Sequence, residues 1–399
     1  MNNPSMMTGF PPRSEAQVTL GNWRKPPFNR WAFKHVREIV PSAEIANDPA
    51  NVRSLTEAQL DFSSLKVNSD LGVMDLRTFL DRTETDGLVV LRDGRIVQEY
   101  YANDTQISTQ HILMSVSKSI LGLLAGILAD RGMLQLDRPV TELIPEVKGS
   151  AYEGATLRDL LDMRVGIHFD ENYLANSGAI IEYRKAQGWD PVKPGDNQSD
   201  LRSFFSSLVD SDGRHADKFH YVSPNTDLMG WVIERVTGRR YADLVSEYLW
   251  CPMGAERSAY ITVDRLGAPR CAGGFCATTR DLARLGQLIA EEGKFNGKQV
   301  IPTAWLDDIR TAGNMDAWRA GDFLQYFPEM PIHYRSKWYV LHGEAPVIFG
   351  VGVFGQNLFV DPKNRIVIAK LSSQALPMDE ERILLTMQGI EAIRGYLNA

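Results

Sequence analysis

The chain has 399 residues, of which 44% are hydrophobic and 23% charged, a globular composition that excludes a disordered, collagen-like or coiled-coil protein. Its 43 lysines and arginines against 50 aspartates and glutamates give a net charge of −7, which argues against surfaces for nucleic acid or anionic membranes. We therefore expect no nucleic-acid partner and no membrane partner.

The beginning of the chain, residues 1–20, has no clear hydrophobic pattern and is predicted to be a flexible N-terminal lead-in. It lacks the basic start and apolar run of a signal peptide, so we expect a cytoplasmic protein. The longest apolar stretch, 120–129, is too short to span a bilayer. Three cysteines, Cys251, Cys271 and Cys276, are too few for a disulfide framework and fit a reducing compartment.

Strands are predicted near both ends of the chain. Segments 88–91 and 96–101 are rich in β-branched residues, and Asp93-Gly94 between them favours a tight type I′ turn. Segments 357–360 and 365–369 follow the same pattern around a second turn. The sequence therefore predicts one hairpin near each end.

Helices are predicted between and after these hairpins. Apolar residues at helical spacing indicate a helix over 117–131 that Gly132 ends, and further helices over 156–163, 227–236 and 379–397.

The economical architecture is therefore an α+β fold with one antiparallel sheet, built from both ends of the chain and flanked by helices, plus an all-helical region. We assign residues 21–110 and 264–399 to an α/β domain and residues 111–263 to a helical domain.

One short pattern suggests catalysis: Ser115-Val116-Ser117-Lys118, at the start of the first long helix. Residues three apart share a helix face, so Lys118 is able to reach the hydroxyl of Ser115. A serine is a poor nucleophile until a base takes its proton, and a desolvated lysine has a lowered pKa that suits this role. The string also occurs at Ser63 to Lys66, in a polar stretch, so context rather than the string favours Ser115.

A third catalytic group is expected near the lysine. Tyr221 lies in a polar segment before the predicted helix 227–236, and a phenol beside an ammonium is expected to have a lowered pKa and to shuttle protons. The structural alternative is a helix N-cap formed by Asn225 or Thr226, and both interpretations can hold together.

Signatures of other chemistries are absent from the sequence. There is no Gly-x-Ser-x-Gly, no His-Glu-x-x-His and no Gly-x-x-x-x-Gly-Lys, and the seven histidines show no metal-ligand spacing. No metal and no organic cofactor are expected.

Taken together, these residues resemble the serine β-lactamase or penicillin-recognising superfamily, and more specifically the 6-aminohexanoate-dimer (nylon-oligomer) hydrolases and their carboxylesterase relatives. The resemblance runs from about residue 23 to the C-terminal helix. The motifs that carry it are Ser115-x-x-Lys118, Tyr221-x-Ser223, Pro26-Pro27-Phe28-Asn29-Arg30-Trp31-Ala32-Phe33, Leu113-Met114-Ser115-Val116-Ser117-Lys118-Ser119, Leu134-Gln135-Leu136-Asp137-Arg138-Pro139-Val140, Thr156-Leu157-Arg158-Asp159-Leu160-Leu161, Ser223-Pro224-Asn225-Thr226-Asp227 and Gly355-Gln356-Asn357-Leu358.

The resemblance implies the penicillin-recognising fold and a role for each motif residue. Ser115 is the expected nucleophile, Lys118 its base and Tyr221 the proton shuttle, and the N–H groups of Ser115 and Val353 form the expected oxyanion hole. The residues expected to bind substrate are Tyr173, Ser223, Asn225, Gly352, Arg184 and Ala272. Because an arginine repels an ammonium, Arg184 is expected to prefer an anion.

The third superfamily motif, Lys-Thr-Gly on an edge strand, is missing. The corresponding stretch is Gly350-Val351-Gly352, and no Lys-Thr-Gly or Lys-Ser-Gly occurs in the chain. The cation that grips a substrate carboxylate in that family is therefore lost, which disfavours β-lactam and peptidoglycan substrates.

We therefore expect a serine hydrolase, an amidase or carboxylesterase that cleaves a small-molecule amide or ester through an acyl-enzyme, as a monomer or homodimer. One alternative is a β-lactamase or D-amino-acid peptidase. Another is a catalytically inactive ligand-binding protein of the same fold.

Overall fold

A computed structural model describes residues 6–196 and 198–399, and this part of the chain contains sixteen strands and thirteen α-helices. The strands are β1 (Ser42–Ile45), β2 (Thr56–Glu57), β3 (Val67–Ser69), β4 (Gly72–Met74), β5 (Thr85–Arg92), β6 (Arg95–Tyr101), β7 (His111–Ile112), β8 (Ala259–Thr262), β9 (Phe275–Ala277), β10 (Lys294–Phe295), β11 (Lys298–Gln299), β12 (Ile332–Arg335), β13 (Trp338–Leu341), β14 (Val347–Gly352), β15 (Gln356–Asp361) and β16 (Ile366–Ser372). The α-helices are α1 (Asn29–Ala32), α2 (Leu76–Arg82), α3 (Val116–Asp130), α4 (Val140–Leu143), α5 (Leu157–Leu161), α6 (Ala179–Ala186), α7 (Leu201–Phe205), α8 (Pro224–Thr237), α9 (Tyr241–Val245), α10 (Thr279–Ala290), α11 (Thr303–Thr311), α12 (Met315–Arg319) and α13 (Glu380–Asn398).

The largest sheet has eight strands in the order β12-β13-β14-β15-β16-β5-β6-β2. Its neighbours are antiparallel except for β2, which runs parallel to β6. Strand β5 from the first part of the chain pairs with β16 from the last part, so both ends build one sheet. The predicted α+β fold is confirmed, but the expectation of one antiparallel sheet is wrong, because β2 pairs in parallel and the described residues form three further, smaller sheets.

Both predicted hairpins are present. Asp93 and Gly94 have φ angles of 51° and 75°, the two positive values that a type I′ turn between β5 and β6 requires. The second hairpin joins β15 to β16. Its second strand begins at Ile366, one residue later than predicted, because Arg365 has a left-handed φ of 53° and still belongs to the turn.

Alternating side chains of the central strands serve two different cores. In β5, Val89 and Leu91 pack in one cluster with the leucines of α10, whereas Leu88 and Val90 pack in another with α13. This period of two is expected for a strand covered on both faces. The eight-stranded sheet is therefore sandwiched between α10 and α13.

Helix α3 runs through the interior of the protein. Every side chain from Val116 to Leu128 is buried, as expected for a helix that is apolar on nearly all sides. The indole N–H groups of Trp305 and Trp338 donate hydrogen bonds to carbonyls within it, 3.0 and 3.1 Å long. The predicted helix 117–131 is confirmed, and Gly132 follows its end with a φ of 72°.

A second, four-stranded sheet leads the chain into α3. Its order is β1-β8-β9-β7, and β7 pairs with β9. Directly after β7, the N–H of Leu113 donates to the carbonyl of Phe275 at 2.8 Å. This pairing fixes the position from which α3 begins.

The other predicted helices occur with shifted ends. Helix α8 begins at Pro224 rather than residue 227, because proline fits the first turn of a helix, where its missing N–H costs nothing. Helix α5 starts after Thr156, whose side chain forms a reciprocal capping box with Asp159. Helix α13 starts after Asp379, whose carboxylate accepts from the N–H of Arg382 at 3.1 Å.

Between β7 and β8 the described part of the chain holds seven α-helices, α3 to α9, and no strand. The division into two domains stays a prediction. Residues 1–5 of the predicted lead-in lie outside the described residues, and its flexibility also stays a prediction; Val18 is buried in a cluster with Trp23 and Phe33. None of the described helices has the length and apolar character needed to cross a bilayer.

Candidate active site

Ser115 lies at the junction of the sheet and the helices, immediately before the first residue of α3. The preceding Met114 has a left-handed φ of 45°. This residue turns the chain sharply between Leu113, which is hydrogen-bonded to Phe275, and the helix. Ser115 is 9% exposed, so its hydroxyl lies at the bottom of a cleft with limited access to solvent.

Lys118 lies one turn further along α3. Its Nζ is 2.8 Å from Ser115 Oγ and donates to the carbonyl of Ala272 at 2.7 Å. Burial lowers the pKa of Lys118 to about 7; the charges of Glu171 and Asp227 oppose this shift, and that of Arg270 reinforces it. The predicted proximity of Ser115 and Lys118 and the lowered pKa of the lysine are both present.

Tyr221 faces the same pair from the segment before α8. The centre of its ring lies 4.9 Å from Lys118 Nζ, and its hydroxyl hydrogen-bonds with Ser115. The expectation of a lowered pKa is wrong, because burial raises the pKa of Tyr221 more than its hydrogen bond with Ser115 lowers it. The phenol is therefore protonated at neutral pH and is suited to donate a proton.

The alternative of a side-chain cap at α8 is also wrong. The residue before the helix is Ser223, and no side chain caps its first turn. Asn225 and Thr226 lie inside the helix, fully buried. The Ser223 hydroxyl and N–H instead both donate to the carboxylate of Glu171, which also accepts from the Tyr173 hydroxyl at 3.0 Å.

A buried ion pair supports the carbonyl that Lys118 contacts. One carboxylate oxygen of Asp227 accepts from the Arg270 guanidinium at 2.5 Å and from the Tyr183 hydroxyl. The other accepts from the N–H of Ala272 at 2.7 Å. Asp227 thus holds the N–H side of Ala272, the residue whose carbonyl accepts the hydrogen bond from Lys118.

Strand β14 approaches Ser115 from the other side. It is an interior strand, but its pairing with β13 ends at Phe349, so residues 350–352 offer a free edge to the start of α3. A Cβ at Gly352 would lie 2.9 Å from the nitrogen of Ser115, so glycine is needed for this approach. Within residues 6–196 and 198–399, the N–H groups of Ser115 and Val353 donate no hydrogen bond.

Two cavities meet at Ser115, and Tyr173 and Val353 also line both. One, of about 620 Å³, is the apolar cavity, lined mainly by Tyr221, Phe323, Phe327, Tyr339, Ile383 and Met387. Arg382 also lines it, but this arginine is paired with Glu84 and Asp379. The other, of about 540 Å³, is the arginine cavity, lined by Arg24, Arg184, Arg270, Gln187 and Glu171.

Most of the predicted substrate-binding residues line these cavities. Tyr173, Ser223, Arg184 and Ala272 line the arginine cavity, and Gly352 lines the apolar cavity. Asn225 lines neither; it is fully buried in α8, and its side-chain oxygen has no partner among the described residues.

Sequence reasoning missed several residues of the site. It assigned no role to Asp227, Arg270 or Gln187, and it did not place Phe323, whose ring lies 4.6 Å from that of Tyr221. Asp227 and Arg270 are separated by 43 positions. No local pattern indicates such a contact, so only the folded chain reveals it.

Comparisons with known proteins agree with this geometry. The Beta-lactamase family model matches residues 76–388. The chain is 35% identical over 365 residues to the 6-aminohexanoate-dimer hydrolase of Paenarthrobacter ureafaciens, covering 91% of this chain and 90% of the relative. These matches agree with the family resemblance carried by the sequence motifs.

Solved structures show the same likeness. A Bacillus anthracis protein with the provisional name 6-aminohexanoate-dimer hydrolase superposes with a TM-score of 0.87 at 27% identity, covering 97% of this chain and 98% of the other. A D-stereospecific amidohydrolase from Streptomyces shares the fold, with a TM-score of 0.57 at 18% identity over 80% and 98% of the two chains.

Proposed function

The chain belongs to the beta-lactamase family and is a serine hydrolase, and from this premise we propose that it cleaves a small amide or ester through an acyl-enzyme on Ser115. The observation that carries the proposal is the 2.8 Å contact between Ser115 Oγ and the Nζ of Lys118. Burial lowers the pKa of that lysine to about 7, so a large share of it is a neutral amine at physiological pH. A neutral amine beside a serine hydroxyl is the base that the nucleophile needs.

In the acylation step, Lys118 Nζ accepts the hydroxyl proton while Ser115 Oγ forms a bond to the substrate carbonyl carbon. The negative charge on the carbonyl oxygen is stabilised by the N–H groups of Ser115 and Val353, which have no other acceptor among the described residues. The bond from the carbonyl carbon to the leaving nitrogen or oxygen then breaks. The leaving atom takes a proton from the Tyr221 hydroxyl, which recovers it from the Lys118 ammonium.

Deacylation repeats these transfers with water in place of the leaving group. The Tyr221 hydroxyl accepts a proton from water as it passes its own proton to Lys118, and the water oxygen bonds to the acyl carbon. The bond to Ser115 Oγ then breaks as that oxygen takes a proton from the Lys118 ammonium. The enzyme returns to its starting state, and the products are an acid and an amine or alcohol.

The relatives and the shape of the cleft support the proposed substrate class. The curated relative is named for a dimer of 6-aminohexanoate, a linear amide. Ser115 of this chain lies where two cavities meet, an arrangement that suits a linear molecule cleaved near its middle. We propose that the substrate contacts Tyr173, Val353 and Ala272 next to the scissile bond. Asn225 is instead proposed to stabilise α8 from its buried side.

A fluorophosphonate probe tests the nucleophile. We expect one probe molecule per chain by intact-mass spectrometry and none on Ser115→Ala, because the probe phosphonylates an activated serine and releases fluoride. Ser63→Ala is the matched control, since Ser63 is exposed and begins the only other Ser-x-x-Lys string. Equal labelling of Ser115→Ala would show that another residue is the nucleophile.

The pH dependence of the reaction tests the base. Lys118 must be unprotonated to accept a proton, so kcat/KM for an activated ester should rise with pH through about 7 and then level off. Tyr221 should not add a second limb near neutrality because burial raises its pKa. None of the described residues that line the two cavities is a histidine. A flat profile between about pH 5 and 9 would contradict Lys118 as the base.

The cytoplasmic location and the choice between monomer and homodimer stay predictions.

A further inference from the structure

Arginine side chains dominate the charged lining of the arginine cavity. Three guanidinium groups line it, against the single carboxylate of Glu171. Arg24 is paired with Asp190, and Arg270 with Asp227. Arg184, which is 8% exposed, forms no ion pair within the described residues and donates only to the carbonyls of the 173–175 segment. Among the described residues, Asp190 and Glu171 therefore act on Arg184 only from beyond ion-pair distance.

The cavity also contains buried donors that are not satisfied. Gln187 is 1% exposed, and neither atom of its side-chain amide has a partner among the described residues. The Nε atoms of Arg24 and Arg270 are likewise buried without an acceptor. Buried polar groups are nearly always hydrogen-bonded, so a cluster with more free donors than acceptors fits a ligand that brings acceptor oxygens.

Glu171 does not reverse this preference. Its carboxylate already accepts three hydrogen bonds, from the hydroxyl and N–H of Ser223 and from the hydroxyl of Tyr173. These three bonds use much of the capacity of the carboxylate to accept hydrogen bonds, before any ligand binds. Arg184, in contrast, donates only two of its five N–H groups, so the cavity offers more free donors than free acceptors and favours an anion over an ammonium ion.

We propose that the arginine cavity binds a carboxylate on the acyl half of the substrate, so the enzyme prefers half-amides or half-esters of short dicarboxylic acids. This inference rests on the proposed function of the Ser115 site. Arg184 supplies the main charge, and Gln187 and Arg270 supply further hydrogen-bond donors.

The position of Tyr221 indicates which half of the substrate enters which cavity. Tyr221 lines the apolar cavity and not the arginine cavity. As the proposed proton donor to the leaving group, it directs that group into the apolar cavity, beside Phe323 and Ile383. The acyl half and its terminal carboxylate then occupy the arginine cavity.

Three esters with six-carbon acyl chains test the inference. They are the p-nitrophenyl esters of hexanoate, of adipate as its monoester and of 6-aminohexanoate, which end in a methyl, a carboxylate and an ammonium group. We expect kcat/KM for the adipate ester to exceed that for the hexanoate ester by at least about tenfold, with the 6-aminohexanoate ester slowest. Ser115→Ala supplies the background rate for each ester.

Variants of Arg184 separate charge recognition from a structural role. Arg184→Gln should remove the adipate preference, and Arg184→Glu should favour the 6-aminohexanoate ester. Lys185→Gln is the matched control, because Lys185 is the next residue in α6, pairs with Glu182 and Asp196, and does not line the arginine cavity. This control should keep the ratio of the three rates.

The outcomes distinguish the two proposals. Ser115-dependent hydrolysis of all three esters at similar rates would overturn the carboxylate preference and leave the proposed function intact. If Arg184→Gln lowered kcat/KM equally for all three esters, Arg184 would serve only to hold the 173–175 segment. That result would also overturn the carboxylate preference. Hydrolysis of none of them would overturn the proposed function and this inference with it.

Discussion

Replacing Lys118 with methionine is expected to lower kcat/KM by at least about 10³-fold, as much as replacing Ser115 with alanine. Methionine keeps the volume of the fully buried lysine and removes only the amine 2.8 Å from Ser115 Oγ. The double variant should be within a few-fold of either single variant, because residues that act as one catalytic unit show strongly non-additive losses. Steady-state kinetics on an activated ester gives kcat/KM for the two single variants and the double variant.

Lys370 provides the matched control for Lys118. It is also fully buried, and burial also lowers its pKa to about 7, but its Nζ contacts Ser372 in β16 and it does not line the two cavities at Ser115. Lys370→Met should keep kcat/KM per folded molecule, as verified by circular dichroism. Independent, multiplicative losses in the double variant of Ser115 and Lys118 would contradict a shared catalytic unit.

The parts of the fold that were predicted correctly depend on neighbouring residues in the sequence. The turn at Asp93 and Gly94 needs two positive φ angles, which that pair of residues supplies. The closeness of Ser115 and Lys118 follows from the helical repeat alone. Such features are determined over a few positions and are therefore visible in one sequence.

The features that were missed depend on burial or on contacts between distant segments. The pKa of Tyr221 was expected to fall because a lysine is near, but its burial was unknown and has the larger effect in the opposite direction. The start of α8 was placed too late because the polar residues before Asp227 resemble a cap, whereas Pro224 already begins the helix. The first error came from burial, which one sequence does not show, whereas the second was a misreading of a local signal, since proline is common at the first position of a helix.

The substrate preference of the arginine cavity was also difficult to predict from the sequence. The sequence indicated an anion preference for Arg184 alone, through a family resemblance. Gln187 and Arg270 join it from separate segments, and their unsatisfied donors are evident only after folding. A single sequence therefore predicts the reaction more readily than the substrate.

Tyr221→Phe is expected to lower kcat/KM on an amide by roughly 10²–10⁴-fold and to have a much smaller effect on the p-nitrophenyl ester of the same acid. An amine must be protonated as it leaves, whereas p-nitrophenolate departs without a proton. Because burial raises the pKa of Tyr221, its phenol holds the proton needed for that step. Phenylalanine keeps the ring that packs 4.6 Å from Phe323 and removes only the hydroxyl.

Tyr173→Phe is the matched control for this comparison. It removes the hydroxyl of another tyrosine that lines the same cavities as Ser115, but this hydroxyl donates to Glu171. Its losses should therefore be similar for the amide and the ester, because this hydroxyl donates its proton to Glu171 and is not the proposed donor to the leaving atom. The ratio of amide to ester rates isolates the proton donated to the leaving group. If Tyr221→Phe left that ratio unchanged, the proton would have to come from Lys118 or water, and Tyr221 would act only by packing against the lysine.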